Sequence, residues 1–152
     1  MKRIRSILVG TLVLAAGALH AQQESTDTGC GNATLKGAYA VAISGVRPNP
    51  NNPYLTEQVI GVAIQNFDGA GKFTQIDNVK GSQSGVIPNR SGSGTYSVNA
   101  DCTGTYTLNN TGVPFPLVIQ FVIVSGGGGF RGVVISPQAV MVAAKATKVS
   151  IP

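Results

Sequence analysis

Histidine is the first residue type to look for, because most acid–base and zinc chemistry uses it. The chain of 152 residues holds one, His20. It sits at the end of an apolar run, Ile7 to Leu19, that follows Lys2, Arg3 and Arg5. Three cations, about 13 apolar residues and a small-residue stretch ending at Ala21 read as a secretory signal peptide. Cleavage is expected after Ala21, with Ala18 as the alternative. The run is too short for a bilayer span, which needs about 20 residues. The expected mature chain has no imidazole, which excludes Ser-His-Asp and Cys-His catalysis and His-containing zinc sites. No metal site and no cofactor are expected.

The charge balance changes with the same cut. The full chain has a net charge of +5. Loss of Lys2, Arg3 and Arg5 leaves eight cations against six acids, a net charge of +2. No run of Lys or Arg remains, so nucleic acid is not an expected partner. Stable membrane insertion is not expected either. Secretion, or export to a periplasm, is the expected location.

Cys30 and Cys102 are the two cysteines. In an exported chain they are expected to form one disulfide. No C-x-x-C spacing points to a redox role.

Asp77 is the best catalytic candidate. Alternation from Phe73 brings Gln75 and Asp77 to the same face. If that face is the interior, a carboxylate among apolar groups could serve as an acid or base. Its opposing reading is a strand-end carboxylate meeting water, or pairing with Lys80 or Arg131. Tyr39, Tyr96 and Tyr106 would join it inside. Tyr39, Phe73, Gln75, Asp77, Tyr96 and Tyr106 are therefore the candidate ligand-binding residues, with core filling as the plainer role of the tyrosines.

Two glycine-rich segments invite other readings. Gly126 to Gly129 lacks the Lys-Ser/Thr and the helix of a phosphate loop, and reads as a flexible hairpin tip. Asp68-Gly69-Ala70-Gly71 has one acid, too few oxygens for calcium, and reads as a tight turn.

The elements that must position these residues are short β patterns. Residues 22–33 read as a polar leader and 34–152 as one domain. Strands are expected at about 34–46, 57–67, 72–80, 93–98, 102–108, 117–124, 130–136 and 139–148. Arg47 to Pro53, with three prolines, reads as an irregular loop. Gly81 to Gly92 and Asn109 to Pro116 read as two more. Leu117 to Val124 is almost wholly apolar, and is expected to be buried on both sides; lining a ligand cavity or a partner surface is the alternative. Gly94-Thr95-Tyr96-Ser97-Val98 is echoed by Gly104-Thr105-Tyr106-Thr107-Leu108, which suggests two paired strands with one face wet. Eight strands with short connections predict an all-β, antiparallel meander closed into a barrel, since closure removes exposed edges. A two-sheet sandwich is the alternative.

Three segments carry a resemblance. They are Ala33-Thr34-Leu35-Lys36-Gly37-Ala38-Tyr39, Phe67 to Thr74, and Gly94 to Thr105. With them the chain resembles a group of small secreted bacterial β-barrel proteins over most of its mature length. The architecture that this implies is similar to calycin-type barrels, and more narrowly to the allene oxide cyclase-like barrel. The resemblance rests on turns and strand glycines and transfers no catalytic residue. The sequence departs from the pattern at Gln75-Ile76-Asp77 and in its very apolar sixth strand.

Three functions fit these features. One is a barrel that binds an apolar small molecule. Another is a structural or cell-surface interaction protein with a filled core. A cofactor-free cyclase or isomerase is the third.

Overall fold

The computed structural model describes residues 29–150; the expected signal peptide and most of the leader lie outside them. Eight antiparallel strands follow in order: β1 (Gly37–Asn49), β2 (Asn52–Phe67), β3 (Lys72–Gly81), β4 (Gly85–Val98), β5 (Thr103–Asn110), β6 (Leu117–Val124), β7 (Gly129–Ser136) and β8 (Met141–Lys148). Each pairs with the next, and β8 pairs with β1 to close the barrel. The fold is thus the expected meander barrel rather than a sandwich. β3 shows the cause most plainly. Phe73, Gln75, Asp77, Val79 and Gly81 are buried while their neighbours are exposed, a strict period of two.

A meander sorts its connections into two ends. The β2–β3, β4–β5 and β6–β7 turns lie at the end where the N-terminal segment docks. Here the core is aromatic. Phe67 meets Tyr39, Tyr96 and Phe130 edge-on at centroid distances of 5.5, 5.0 and 5.9 Å, and stacks on Phe73 at 5.2 Å. Burying each ring stabilises the fold by about 2–3 kcal/mol. Glycine makes room for them. A Cβ on Gly104 would run into the ring of Phe121, its register partner.

A 3₁₀ turn, Asn32–Leu35, covers this end with Leu35 fully buried. Cys30 and Cys102 form the expected disulfide, which ties that turn to the β4–β5 connection. Among the described residues, the segment from Cys30 packs with the barrel. Asp68 Oδ1 accepts hydrogen bonds from the backbone N–H groups of Ala70, Gly71 and Lys72, so that carboxylate is used by its own turn. Gly126 to Gly129 is a packed tip. The Gly127 carbonyl accepts the Tyr39 hydroxyl at 2.7 Å.

The other end departs from the expected loops. β1 and β2 continue through Pro48 and Pro53, leaving Pro50 and Asn51 as the tip. Pairing of β8 with β1 stops at Val46 and Met141. Past that point β1 has one neighbour, and an edge tolerates proline. The expected loop 81–92 is mostly β4. Its signal is hidden by an irregularity between Asp77 and Val79, opposite Asn89 at φ 50°. β5 runs on to Asn110, past the expected end at Leu108.

β6 is not buried on both sides. Ile119, Phe121 and Ile123 point inward, while Gln120 and Val122 are exposed. A single closed sheet has one interior and no second layer to cover its outside.

Candidate functional site

The half of the barrel away from the disulfide is hollow. Its inward positions are small, aliphatic or polar where the other half has rings. Ala144, Gly132, Val41 and Ile43 stand there in place of aromatics, and leave a cavity of about 400 Å³. That volume lies within the range of small-molecule sites. Leu117, Ile119 and Val134 line its wall, and Val113, Phe115 and Val140 come from the connections around its mouth.

One wall carries a polar belt that follows from strand register. Gln65 on β2 faces Gln75 on β3, Gln75 faces Gly92 on β4, and Gly92 faces Asn110 on β5. Gly92 has no side chain, so Gln75 reaches across it, and Gln75 Nε2 donates to Asn110 Oδ1 at 3.3 Å. A Cβ at Gly92 would meet Asn110 Oδ1 at 2.5 Å and Leu108 Cδ1 at 3.0 Å. One pair further along, Asp77 on β3 faces Arg90 on β4. Arg90 donates from Nε to Asp77 Oδ1 at 3.0 Å and from Nη2 to Oδ2 at 2.8 Å. This is a bidentate ion pair.

The ion pair sets the direction of every amide in the belt. A carboxylate only accepts. Gln75 must present Nε2 to Asp77 Oδ2, which it does at 2.7 Å. Gln75 Oε1 then faces Gln65, which donates Nε2 to it, also at 2.7 Å. Gln65 is left with Oε1 as its free end. That atom is the one buried side-chain polar atom without a hydrogen-bond partner among the described residues. Gln65 is 2% exposed and lines the cavity.

Tyr106 lies beside Gln65 at the inner end of the cavity. Burial pushes its phenol up to about 12, against the opposing effect of the Gln65 amide. Even so, Gln65 Oε1 accepts no hydrogen bond of regular geometry.

At the mouth a second ion pair holds the strands together. Arg47 Nε donates to Glu57 Oε1 at 3.0 Å. Ser84 donates to the same carboxylate through Oγ at 2.7 Å and through N at 2.9 Å, and the Gln83 N–H adds a contact at 3.2 Å. Burial pushes the Glu57 carboxyl up, but the hydrogen bonds from Ser84, Gln83 and Arg47 overcome it and bring it down to about 2.

The six residues singled out by sequence divide between the two halves. Gln75, Asp77 and Tyr106 line the cavity. Tyr39, Phe73 and Tyr96 are in the packed aromatic half, with Tyr39 and Tyr96 bonded through their hydroxyls to backbone carbonyls. Asp77 is inward and fully buried, but its partner is Arg90, not Lys80 or Arg131. Sequence reasoning missed Gln65, Arg90 and Asn110. Gln65 was within reach, since the alternation that puts Phe67 inside also puts Gln65 there. Arg90 and Asn110 were masked by segments rich in Ser, Gly, Asn and Pro that read as loops.

No protein-family model matches the chain, and no curated protein or solved structure does either. What fold and site define is a class. It is a closed eight-stranded antiparallel barrel, consistent with the calycin-like kind, with one half filled by rings and the other open on a lined cavity.

Proposed function

We propose that this is an exported binding protein that holds an apolar small molecule in the open half of its barrel. The observation that carries the reading is the cavity itself, apolar over most of its wall and backed by a fixed polar belt. A structural protein with a filled core would have no reason to leave it. Export rests on the signal-peptide pattern of residues 1–21, and the disulfide fits an extracytoplasmic setting. Membership of the resembling group of small secreted bacterial barrels belongs to the same proposal.

The geometry favours holding over turnover. Both oxygens of Asp77 are engaged, one by Arg90 and the other by Arg90 and Gln75. The Tyr106 phenol, at about 12, is a donor at neutral pH and a poor base. Neither side chain offers an available base to a substrate.

Native mass spectrometry of the protein purified from its own secreting cells tests the reading. The expected spectrum shows a mass excess that disappears on denaturation. A bare polypeptide mass that stays bare after incubation with a lipid extract would favour the structural role.

A further inference from the structure

The connections at the open end carry apolar side chains that a barrel would ordinarily bury. Tyr54, just past the β1–β2 tip, is 94% exposed, and Leu55 beside it is exposed too. Val86 follows the β3–β4 connection and Phe115 stands in the β5–β6 connection. Ile135 and Met141 flank the β7–β8 connection, and all four of these are exposed. The ring they form is continuous with the cavity. Pro50, Pro53 and Phe115 line the mouth, and Tyr54 and Leu55 follow directly on Pro53. Apolar side chains gathered round one entrance mark a contact site, whereas single surface hydrophobics need no explanation.

Charge at the same end narrows the partner. Glu57 is paired with Arg47 and Asp77 with Arg90, so both carboxylates there are neutralised. The other two carboxylates among the described residues, Asp68 and Asp101, lie in the β2–β3 and β4–β5 turns at the opposite end. Lys80, the register partner of Val86, is exposed and has no ion-pair partner among the described residues. The open end is thus apolar with a residual positive charge.

We propose that the open end docks on the surface of a lipid bilayer, with Tyr54, Leu55 and Phe115 entering the interface and the cavity mouth facing the acyl chains. The choice of a bilayer rests on the binding reading, because an apolar molecule then passes between acyl chains and cavity wall without crossing water. An anionic lipid surface meets Lys80 and no free carboxylate. The Tyr54 ring has an apolar body and a polar tip, the combination that sits at headgroup level. A second copy set mouth to mouth would instead close both entrances and bring two cationic ends together. The contact is peripheral. Lys80, Gln120 and Lys145 are exposed on the outer wall, where a lipid-facing charge is costly.

The test uses the mature, disulfide-bonded protein and vesicles of phosphatidylcholine with a minor share of phosphatidylglycerol. Co-flotation measures docking. The neutral apolar dye N-phenyl-1-naphthylamine, added without vesicles, measures cavity binding separately. The wild type is expected to float with the vesicles. Tyr54→Ser/Leu55→Ser is expected to lower the vesicle partition coefficient roughly tenfold or more, since two apolar side chains no longer leave water. Its dye affinity is expected to stay at the wild-type value, because neither side chain lines the cavity; retained dye binding also shows that the variant is folded. Ile60→Ser/Val62→Ser, on the outer wall, is expected to float like the wild type. A wild type that binds dye but does not float overturns the docking and leaves the binding reading standing. Flotation without dye binding supports the docking and removes the binding reading. Equal flotation of wild type and Tyr54→Ser/Leu55→Ser, or a matching loss in Ile60→Ser/Val62→Ser, overturns the assignment of the contact to the open end. A lipid-free wild-type dimer that becomes a monomer in Tyr54→Ser/Leu55→Ser would give the ring to a second copy and overturn it as well.

Discussion

Two carboxylates show how differently a buried acid can be held. Asp77 is 0% exposed and meets Arg90 along two bonds deep in the wall. Removing one partner strands the other as an unpaired buried charge. Asp77→Asn or Arg90→Met is therefore expected to lower stability by about 3–5 kcal/mol, and Asp77→Leu combined with Arg90→Met by much less than the two losses added. Urea unfolding of the three variants checks this; additive losses would mean that the residues are not coupled. Glu57 is held by hydrogen bonds from Ser84, Gln83 and Arg47 at the mouth, and its carboxyl lies near 2, against an ordinary value of 4.5. A lowered folded-state value stabilises the fold above the unfolded value, and that contribution disappears as pH falls from about 4.5 to about 2. The loss is expected to be on the order of 1–3 kcal/mol, discounted because its partner Arg47 is partly exposed. Glu57→Gln should remove this part of the acid limb, which denaturant midpoints measured from pH 5 to pH 2 would show.

Elements were legible in the sequence in proportion to the regularity of their alternation. β3 could be read residue by residue from Lys72 to Lys80, and its reading delivered Gln75 and Asp77 to the interior. β4 could not. Pro88, an Asn89 at positive φ and the irregularity opposite Asp77 break the period where Arg90 belongs. Arg90, the partner of Asp77, was lost with it. The prolines of 47–53 misled for a related reason. Proline marks the limits of a ladder with two neighbours, and the tip of β1 has one. The N-terminal 3₁₀ turn was invisible, because Leu35 fits the inward alternation of β1 whether or not the backbone is extended. Its position depends on a long-range link. Cys30 and Cys102 are separated by 72 residues, and such a closure is worth about 4 kcal/mol in the chain-entropy model. The double variant Cys30→Ser/Cys102→Ser is expected to lose about that much. A lost near-UV signal with an intact far-UV β spectrum would mark detachment of the turn from the aromatic end. Unchanged urea stability would mean that the turn holds without its tether.

At the scale of the whole molecule the barrel is divided by packing. Rings and the disulfide close one end and supply the rigidity. Small inward residues open the other, where stability is given up for space. The overall closure was readable from the strand count. This division was not, because it depends on which half of each strand faces which end, and so on register. A ligand that binds only the folded state stabilises it by RT ln(1 + [L]/Kd), about 2.7 kcal/mol at a hundredfold excess over Kd. For a domain of this size that corresponds to a rise in Tm of roughly 10 °C. Saturating N-phenyl-1-naphthylamine should produce a shift of that order in the wild type. Ala144 lies on β8 between Ile43 and Gly132, all three lining the cavity. Ala144→Phe adds a ring inside the open half. Its own Tm is expected to stay within a few degrees of the wild type, since a ring that fills existing space gains burial without forcing its neighbours aside. The dye-induced rise should disappear. A variant that folds and still shows the full rise would place the dye on the outer face of the barrel, where Ile60, Val62, Ile76 and Val86 are exposed. The cavity would then be a packing defect with no part in binding.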